Sequence, residues 1–542
     1  MDTNKDYYKI SSYEARKGQV KKIVLLYSGS LYTTALIPWL KETYKAEVVT
    51  VTVDIGQKVN FAEIKDDALR VGASKAIFID AKQEFAEKYI AKAIRANTAY
   101  REGYHLSAPL SRPLLAKHVV KIAEEEGASA IAHGASGQSN DQVRYESLII
   151  TLNQDMKIIA PLRGNEFSLK DSKEYAKKYK IAQEYQDPYY ATDKTLWGAS
   201  ILGGTVENTF KLIHVEHLLS MTTLPEKAPD TPESVTVEFF HGLPIKVNGK
   251  QMPLTPLIQE LNIIAGRNGV GISYHITDII IGVKLRSIDE EPAATLLINA
   301  HKELEKYVCT REENDMKPLI DTKWMSLCHD GLWYEPLIAD IDAFITTVNK
   351  KVNGTVSIQL YKGNMDITNV RAPQTIFERK RAMHLADYSI INPHAFPGYI
   401  EIHSLPMRLA YRKESNILLT IGKRNNKLKL IQSLREIDRD RVTLYATYKT
   451  HKFLARNGIS SILVNKMMHK HLEPNLRTLL LENRFDVIIR IPSAKKLTQG
   501  EKEAAQFIQD KAKENNVLLI ASVEEAHKLL ESYHKALKKI NV

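Results

Sequence analysis

Ile23-Val-Leu-Leu-Tyr27-Ser28-Gly29-Ser30-Leu31-Tyr32-Thr33-Thr34 is the stretch on which the reading of this chain turns. Four apolar residues run into a Ser-Gly-Ser turn, and the helix pattern Ala35-Leu-Ile-Pro-Trp-Leu-Lys-Glu42 follows at once. A buried parallel strand that feeds a small-residue loop at a helix N-terminus makes an anion cradle. The loop amides and the helix dipole point the same way, so few side chains are needed. The spacing is neither G-x-x-x-x-G-K-[ST] nor G-x-G-x-x-G, which sets aside both common phosphate loops.

Outward from this stretch, short β-branched runs alternate with longer amphipathic ones. Strands are expected at 23–27, Ala46–Asp54, Ala76–Asp80, Ala128–Ala132 and Lys157–Pro161, with helices at 33–44, 61–71, 83–97, 112–127 and 141–153. That rhythm predicts an α/β fold with a doubly wound parallel sheet, whose ligands bind beyond the carboxyl ends of the strands. From residue 187 the pattern changes to an α+β domain built on hairpins. Its strands are Ser234–Phe240, Leu243–Val247, Thr355–Tyr361 and Met365–Val370, and its helices include Pro256–Arg267 and Asp340–Lys351. Ser404–Arg412 is expected to pack on a neighbouring subunit.

From Asn416 the α/β rhythm restarts. Strands 417–421, 443–446, 462–464, 486–491 and 517–520 alternate with helices 427–436, 451–457, 475–483, 499–515 and 524–538. The expected division is a loose arm over 1–20 and domains at 21–186, 187–415 and 416–542, since 542 residues exceed one core.

Charge supports that division. The net charge is +11, yet residues 416–542 hold 24 Lys and Arg against 13 Asp and Glu. The whole excess lies there, and it favours an anionic partner. Hydrophobic content of 44% and charged content of 26% describe an ordinary globular protein. No apolar run suits a membrane helix, and the start Met1-Asp-Thr-Asn-Lys-Asp-Tyr-Tyr is not signal-like. Cys309 and Cys328 alone offer neither a disulfide framework nor a zinc site, so no metal centre and a cytoplasmic setting are expected.

A second block, His133-Gly-Ala-Ser136-Gly-Gln-Ser-Asn140-Asp141-Gln-Val-Arg144-Tyr-Glu146, follows an apolar strand and opens a helix. An amide, a carboxylate and a guanidinium at one helix N-terminus can hold both ends of an amino acid. Asp141 would take the ammonium, and the amides with Arg144 the carboxylates. Simple helix capping by Asn140 and Asp141 is the alternative.

With both blocks in hand, residues 21–165 resemble argininosuccinate synthase, whose aspartate block reads H-G-x-T-G-K-G-N-D-Q-V-R-F-E. The loop at 28–34 resembles the S-G-G-x-D-[ST] loop of enzymes that split ATP into AMP and pyrophosphate. The likeness runs on through Val53-Asp-Ile-Gly-Gln57, Tyr104, Ser111-Arg112-Pro113, Asp193-Lys-Thr-Leu-Trp197-Gly198, Gly266–Gly271 and Gly282–Arg286, to a helix near 408. It implies a PP-loop (adenine nucleotide alpha hydrolase-type) fold, a homo-oligomer, tetrameric in the family, and a place in arginine biosynthesis. It also implies condensation of citrulline with aspartate using ATP with Mg2+. The ureido oxygen attacks the α-phosphate, pyrophosphate leaves, and the amine of aspartate displaces AMP. Positioning and charge stabilisation would carry that chemistry, and no acid–base residue is assigned.

Residue by residue, the resemblance implies ATP binding at Tyr27, Ser28, Gly29, Ser30, Thr33, Thr34, Val53 and Gly134, and aspartate binding at Ser136, Asn140 and Asp141. Tyr104, Arg112, Arg144 and Ser200 would bind the acceptor. The chain departs from the family at Ser30 and Tyr32, which stand for glycine and aspartate, and at Gln138 and Ser139. In the acceptor pocket, Ser107-Ala108-Pro109 replaces Gly-Thr-Ser, and Ala191, Thr277 and Asp289 replace a serine, a glutamate and a tyrosine. A site that loses several hydrogen-bond partners changes its acceptor or loses it.

The last domain carries Thr420, Lys427, Thr447, Thr450 and Lys466, with Asn465, Arg490 and Ser493, at strand ends. Hydroxyls and ammoniums there form a phosphate pocket. This resembles a methylglyoxal synthase-like domain of the kind that binds phosphorylated effectors in carbamoyl phosphate synthetases; the lyase's G-G-D-Q-Q-like segment is missing. No aromatic-interleaved basic stripe points to nucleic acid. Two functions remain open: an AMP-forming carbon–nitrogen ligase with a regulatory domain, or a catalytically impaired relative that binds its ligands and regulates.

Overall fold

The alternation of β-branched and amphipathic runs resolves, in a computed structural model of the chain, into a five-stranded parallel sheet. Its strands are β1 (Lys22–Leu26), β2 (Glu47–Asp54), β3 (Lys75–Asp80), β4 (Ala130–Ala132) and β5 (Lys157–Ile159), in the order β3-β2-β1-β4-β5. Ile23, Val24 and Leu25 are fully buried, as a strand covered by helices on both faces must be. Strands are added first to one side of β1 and then to the other, so the topological switch falls between β1 and β4. Helix Leu31–Tyr44 starts directly after β1, and helix Asn140–Leu152 follows β4.

The structure describes residues 11–538 apart from 165, 182–189, 211–215, 377–391, 411–414, 438, 440–441, 470 and 494–497. The expected boundary at 186/187, the first ten residues of the arm, and Tyr411 and Arg412 lie outside that set. It divides into two compact units, Met1–Arg379 and Lys380–Val542. The loose arm does not hold for Ser11–Val20. Ala15 is buried, its N–H donates to Ile158 O at 3.0 Å, and Glu14 pairs in parallel with Ile158 at the sheet edge.

After the parallel sheet come β6 (Tyr190–Lys194), β7 (Ala199–Gly203), β8 (Glu233–Phe240), β9 (Leu243–Val247), β10 (Lys250–Gln251), β11 (Ile272–Asp278), β12 (Lys284–Glu290), β13 (Gly354–Tyr361) and β14 (Asn364–Arg371). They form two antiparallel sheets, β10-β9-β8-β13-β14 and β11-β12-β7-β6. The first follows the expected hairpins. The second was not among the expected hairpins: Ile201 and Ile288 face an apolar cluster, but the buried positions of the opposite face, Ser200, Ser287 and Asp289, are polar and break the apolar alternation. Helices Pro292–Val308 and Arg311–His329 add to those expected from the sequence. The single helix expected over 83–97 is instead interrupted by a π-turn at Ala86–Ile90, which carries Tyr89 onto the Trp333 ring, centroids 4.9 Å apart.

In the second unit, helix Phe396–Ala410 precedes β15 (Ser415–Ile421), β16 (Val442–Thr447), β17 (Ile462–Val464), β18 (Val487–Ile491) and β19 (Leu518–Ile520). All are parallel, in the order β17-β16-β15-β18-β19. Alternate residues of β15 enter opposite cores, Ile417 and Leu419 in one and Leu418 in the other, so helices cover both faces. Among the described residues, no helix is long and apolar enough to cross a membrane.

One backbone contact joins the parallel sheet to the turn before β7. Leu196 N–H donates to Ile55 O at 2.7 Å, beside Gly56 at φ +99°. A Cβ on Gly56 would lie 2.8 Å from Leu196 N, whereas Gly249, at φ +79°, has open space around it. Gly56→Ala should therefore cost about 2–4 kcal/mol and Gly249→Ala about 1 kcal/mol. Thermal unfolding of the two variants checks the difference.

Candidate active site

At the switch point the loop after β1 gathers three hydroxyls. Ser28 Oγ lies 3.0 Å from Ser30 Oγ and 3.1 Å from Thr33 Oγ1, and Ser30 Oγ lies 3.1 Å from Thr33 Oγ1. Ser30 is also the N-cap of helix Leu31–Tyr44, accepting from Thr33 N–H. Each hydroxyl has one proton to give and spends it on a neighbour, so all three can turn toward an incoming anion. Beneath them, Tyr27 Oη and Thr34 Oγ1 bond at 3.0 Å inside the core. Gly29 holds φ +79°, and a Cβ there would lie 2.7 Å from Ile64 Cγ1. Tyr32 is half-buried on the first helical turn, where burial raises its phenol's pKa. Val53 is buried near the end of β2.

The loop after β4 lies against the first: a Cβ on Gly134 would sit 3.0 Å from Thr33 Cγ2. His133 accepts the Ala135 N–H on Nδ1 at 3.3 Å, which leaves its proton on Nε2, 3.3 Å from Glu146 Oε1. Ser136 is exposed, and Ser139 caps the helix by accepting from Asp141 N–H at 3.1 Å. Asn140 Oδ1 accepts from Ile280 N–H at 2.8 Å, binding the block to the β11–β12 turn.

Asp141, expected to await an ammonium, already holds Arg112 at 2.5 Å and Arg144 at 3.0 Å. Burial alone would raise its carboxyl, but the two guanidiniums hold it down at about 2. Arg112 also donates to Asp193 at 2.8 Å and lies over the Tyr145 ring at 5.4 Å. Arg144 Nε donates to His329 O at 2.7 Å. The two arginines expected to receive the acceptor are thus tied to carboxylates; Arg112, whose Nε has no partner among the described residues, serves first as a positioning group.

Tyr104 and Ser200 do come together, with carboxyls that their motifs did not announce. Pairing across β6, β7, β12 and β11 places Asp193, Ser200, Asp289 and Ser273 in one row on one face. Ser200 Oγ donates to Asp289, and Ser287 Oγ donates to its other oxygen at 2.7 Å. Asp289 is fully buried, and that burial pushes it up to about 6. Glu291, also buried, accepts from His105 N–H at 2.8 Å and Ser107 N–H at 3.2 Å; burial and then Asp289 raise it further. Tyr104 is raised by burial and by both carboxylates. The available signal was the two-residue period Ser287–Asp289 and Ser273–His275–Thr277. Ala191 lies on the same face, opposite Leu202.

In the C-terminal domain, Lys427 Nζ donates to Lys449 O at 3.0 Å, and Thr450 Oγ1 accepts from Ile421 N–H at 3.2 Å. Both brace the ends of β15 and β16. Thr447 is the N-cap of helix Tyr448–Arg456 with its hydroxyl uncommitted to the cap, Thr420 pairs with Arg490 across the switch point, and Lys466 meets Glu501 at 3.6 Å.

A strand, a hydroxyl loop and a helix N-terminus meeting a second charged loop at a switch point define the class: a nucleotide-binding HUP-type domain coupled to a substrate-holding α/β domain. Comparison with known proteins makes this specific. The sequence model of the argininosuccinate synthase N-terminal HUP domain matches residues 22–182, that of its C-terminal domain matches 190–410, and that of an MGS-like domain matches 427–521. The argininosuccinate synthase of Pyrococcus furiosus is 41% identical over 390 residues, covering 72% of this chain and 94% of its own. That of a Thermoanaerobacter species is 42% identical (72% and 95% covered), and that of Listeria monocytogenes 39% (74% and 98%). The chain belongs to the argininosuccinate synthase family of ATP-dependent carbon–nitrogen ligases and carries an MGS-like domain behind it.

The Asp289 carboxyl makes a stability prediction. Its folded pKa, about 6, exceeds its usual value of 3.8, so its contribution is fully present below the lower value and is lost as pH rises through the upper. Asp289→Asn should raise stability at pH 8 by up to about 3 kcal/mol and do little near pH 4. Thermal denaturation at the two pH values checks the sign.

Proposed function

We propose that the chain is an AMP- and pyrophosphate-forming ligase that joins aspartate to citrulline or a related ureido or amide acceptor. The observation that carries this is the cluster of Ser28, Ser30 and Thr33 hydroxyls in a loop whose Thr33 methyl lies against Gly134, the residue that opens the loop leading to the Arg112–Asp141–Arg144 cluster. The ATP phosphates take the three hydroxyls and the helix amides, while Tyr27, Gly29, Thr34, Val53 and Gly134 shape the nucleotide's seat. Ser136, Asn140 and Asp141 receive aspartate; Tyr104, Arg112, Arg144 and Ser200 receive the acceptor. Their work is to hold the three reactants in line and to spread the charge that builds on phosphorus. Magnesium enters as part of MgATP. The loop offers hydroxyls and no carboxylate, and among the described residues no group of three His, Cys, Asp or Glu could hold a metal ion, so phosphates and water would carry it.

The chain is assigned to the cytoplasm and to a homo-oligomer, a tetramer as in the family. Exposed Tyr399, Ile402 and Met407 on helix Phe396–Ala410 support the latter. The C-terminal domain, with the chain's entire positive excess, binds a phosphorylated small molecule through Thr420, Lys427, Thr447, Thr450 and Lys466 and regulates the ligase. Domain limits at 21–186, 187–415 and 416–542 complete the proposal. Tyr32 favours a second reading, in which the synthetase site binds its ligands but turns over poorly, since on the first turn of helix Leu31–Tyr44 it stands for the aspartate of the S-G-G-x-D-[ST] loop and contributes no negative charge.

Release of AMP and pyrophosphate from MgATP with aspartate and a panel of ureido and amide acceptors decides between the two. Turnover with one acceptor supports the ligase; ATP binding without turnover supports the second reading, in which case Tyr32→Asp should gain activity by about tenfold or more. For the C-terminal domain, Lys466→Ala and Thr447→Ala should each weaken phosphometabolite binding by about tenfold. Equal affinities in calorimetry would remove that pocket.

A further inference from the structure

We propose that Arg163 and Glu14 are positioning residues of the ligase: from the loop after β5 and from the N-terminal arm they fix the His133 imidazole, and through it the loop that seats ATP at Gly134 and aspartate at Ser136. This rests on the ligase reading above and adds two residues that stand behind those seats.

The imidazole comes first. His133 and Glu146 close the two ends of the second sequence block, and neither has a place in the substrate seats. The buried His133 ring accepts the Ala135 N–H on Nδ1 at 3.3 Å and gives its own proton to Glu146 at 3.3 Å, so it is neutral and its tautomer is set. A second proton, on Nδ1, would face the Ala135 N–H and break that hold. Gly134 lies between the bonded residues, and a Cβ on it would come within 3.0 Å of Thr33 Cγ2. A shift of this turn therefore moves the two loops of the site against each other.

Charge keeps the ring as it is. Burial would raise the Glu146 carboxyl, but the bonds from His133 and Arg163 hold it below the usual carboxylate range. Arg163 Nη1 donates to both Glu146 oxygens at 2.7 Å, and its Nη2 donates to Glu14 at 2.8 Å. One guanidinium thus balances the buried carboxylate, which has no need to draw a second proton onto the ring. Tyr145, whose ring faces His133 with centroids 5.9 Å apart, is kept a neutral phenol by burial.

The arm anchors the far end. Ala15 N–H donates to Ile158 O at 3.0 Å, Ile158 N–H to Tyr13 O at 2.8 Å and Lys157 Nζ to Ser12 O at 3.1 Å, which lays Glu14 along the edge of β5. Residue 163 meets the same loop a second time through its backbone. A Cβ on Gly137 would lie 2.9 Å from Arg163 O, and Gln142 Nε2 donates to Gly137 O at 2.5 Å. Asn140 and Asp141 are held by other partners, Ile280 N–H and the two arginines. The relay from Glu14 therefore acts on Gly134 and Ser136. Apolar side chains would close this edge equally well; what the ions add is a fixed ring.

Calorimetric titration of the full-length chain with MgATP, together with NMR of 15N-labelled histidines, tests this. The His133 signal is assigned by its loss in His133→Gln, and in the wild type it should show the neutral Nε2–H form. Glu14→Ala should weaken MgATP binding by about threefold and Arg163→Gln by about tenfold, the latter with a doubly protonated ring at neutral pH. Arg163→Lys, which keeps a charge on Glu146, should keep the neutral ring and lose less than about threefold. Thermal unfolding verifies that each variant is folded; if Arg163→Gln is not, Glu14→Ala and Arg163→Lys decide. Wild-type affinity in both Glu14→Ala and Arg163→Gln, weaker binding in Arg163→Gln with an unaltered ring, or a wild-type ring protonated on Nδ1 overturns the positioning role alone. A wild-type chain that binds no MgATP overturns the ligase reading and the role together.

Discussion

Burial of the Arg112 guanidinium between Asp141, Asp193 and the Tyr145 ring joins pieces that the chain makes far apart. Arg112 opens helix Arg112–Glu125, Asp141 opens the helix after β4, and Asp193 lies on β6 of an antiparallel sheet. Removing one partner of a buried pair leaves a bare charge, at a cost of about 3–5 kcal/mol, whereas apolar replacement of the whole group can be neutral. Stability is therefore a weak account of why ions stand here. Place is a better one: each bond fixes one element against another, and Arg144 extends the lattice to His329 O on helix Arg311–His329.

The parallel sheets were legible because their strands are apolar throughout and their helices keep a clean period, so Ile23–Leu25 could belong to nothing but a covered strand. The site's two loops were legible for the same reason: turn residues followed each strand, and the switch point lies beyond strand ends. The β6-β7-β12-β11 sheet hid itself. One face packs Ile201 and Ile288 on an apolar cluster, but the other carries Ser200, Ser273, Ser287 and Asp289, so the apolar alternation expected of a strand is broken. Asp193 was visible as part of a motif, but its bond to Arg112, 81 residues away, belongs to tertiary structure alone. The backbone bonds of Lys427 and Thr450 were not legible for a related reason: a strand-end lysine or threonine can serve a phosphate, a neighbouring backbone group or both, and the letters do not distinguish them.

The two halves of the site manage charge in opposite ways. The loop after β1 has no ionised side chain at all; it meets anions with hydroxyls and amides, which need no counter-ion when empty. The sheet side is crowded with buried ions, and two of its carboxyls, Asp289 and Glu291, are held above the usual carboxylate range by burial. An arrangement of this kind gives up stability to hold ionisable groups in place.

The same contrast holds across the whole chain. Residues 1–415 are neutral overall, carrying 51 charges of each sign, while the last domain holds all of the +11. Long-range attraction falls away within about 10 Å at moderate salt, so a domain's net charge draws anions only to its own surface. The synthetase domains must hold cationic, anionic and zwitterionic groups together, which a strong net field would hinder; local pairs such as Arg112 with Asp141 give each its place. With the phosphate-binding role proposed for it, the last domain faces no such conflict. Its excess of lysine and arginine can work as a field, leaving Thr447 and the helix amides to set the geometry.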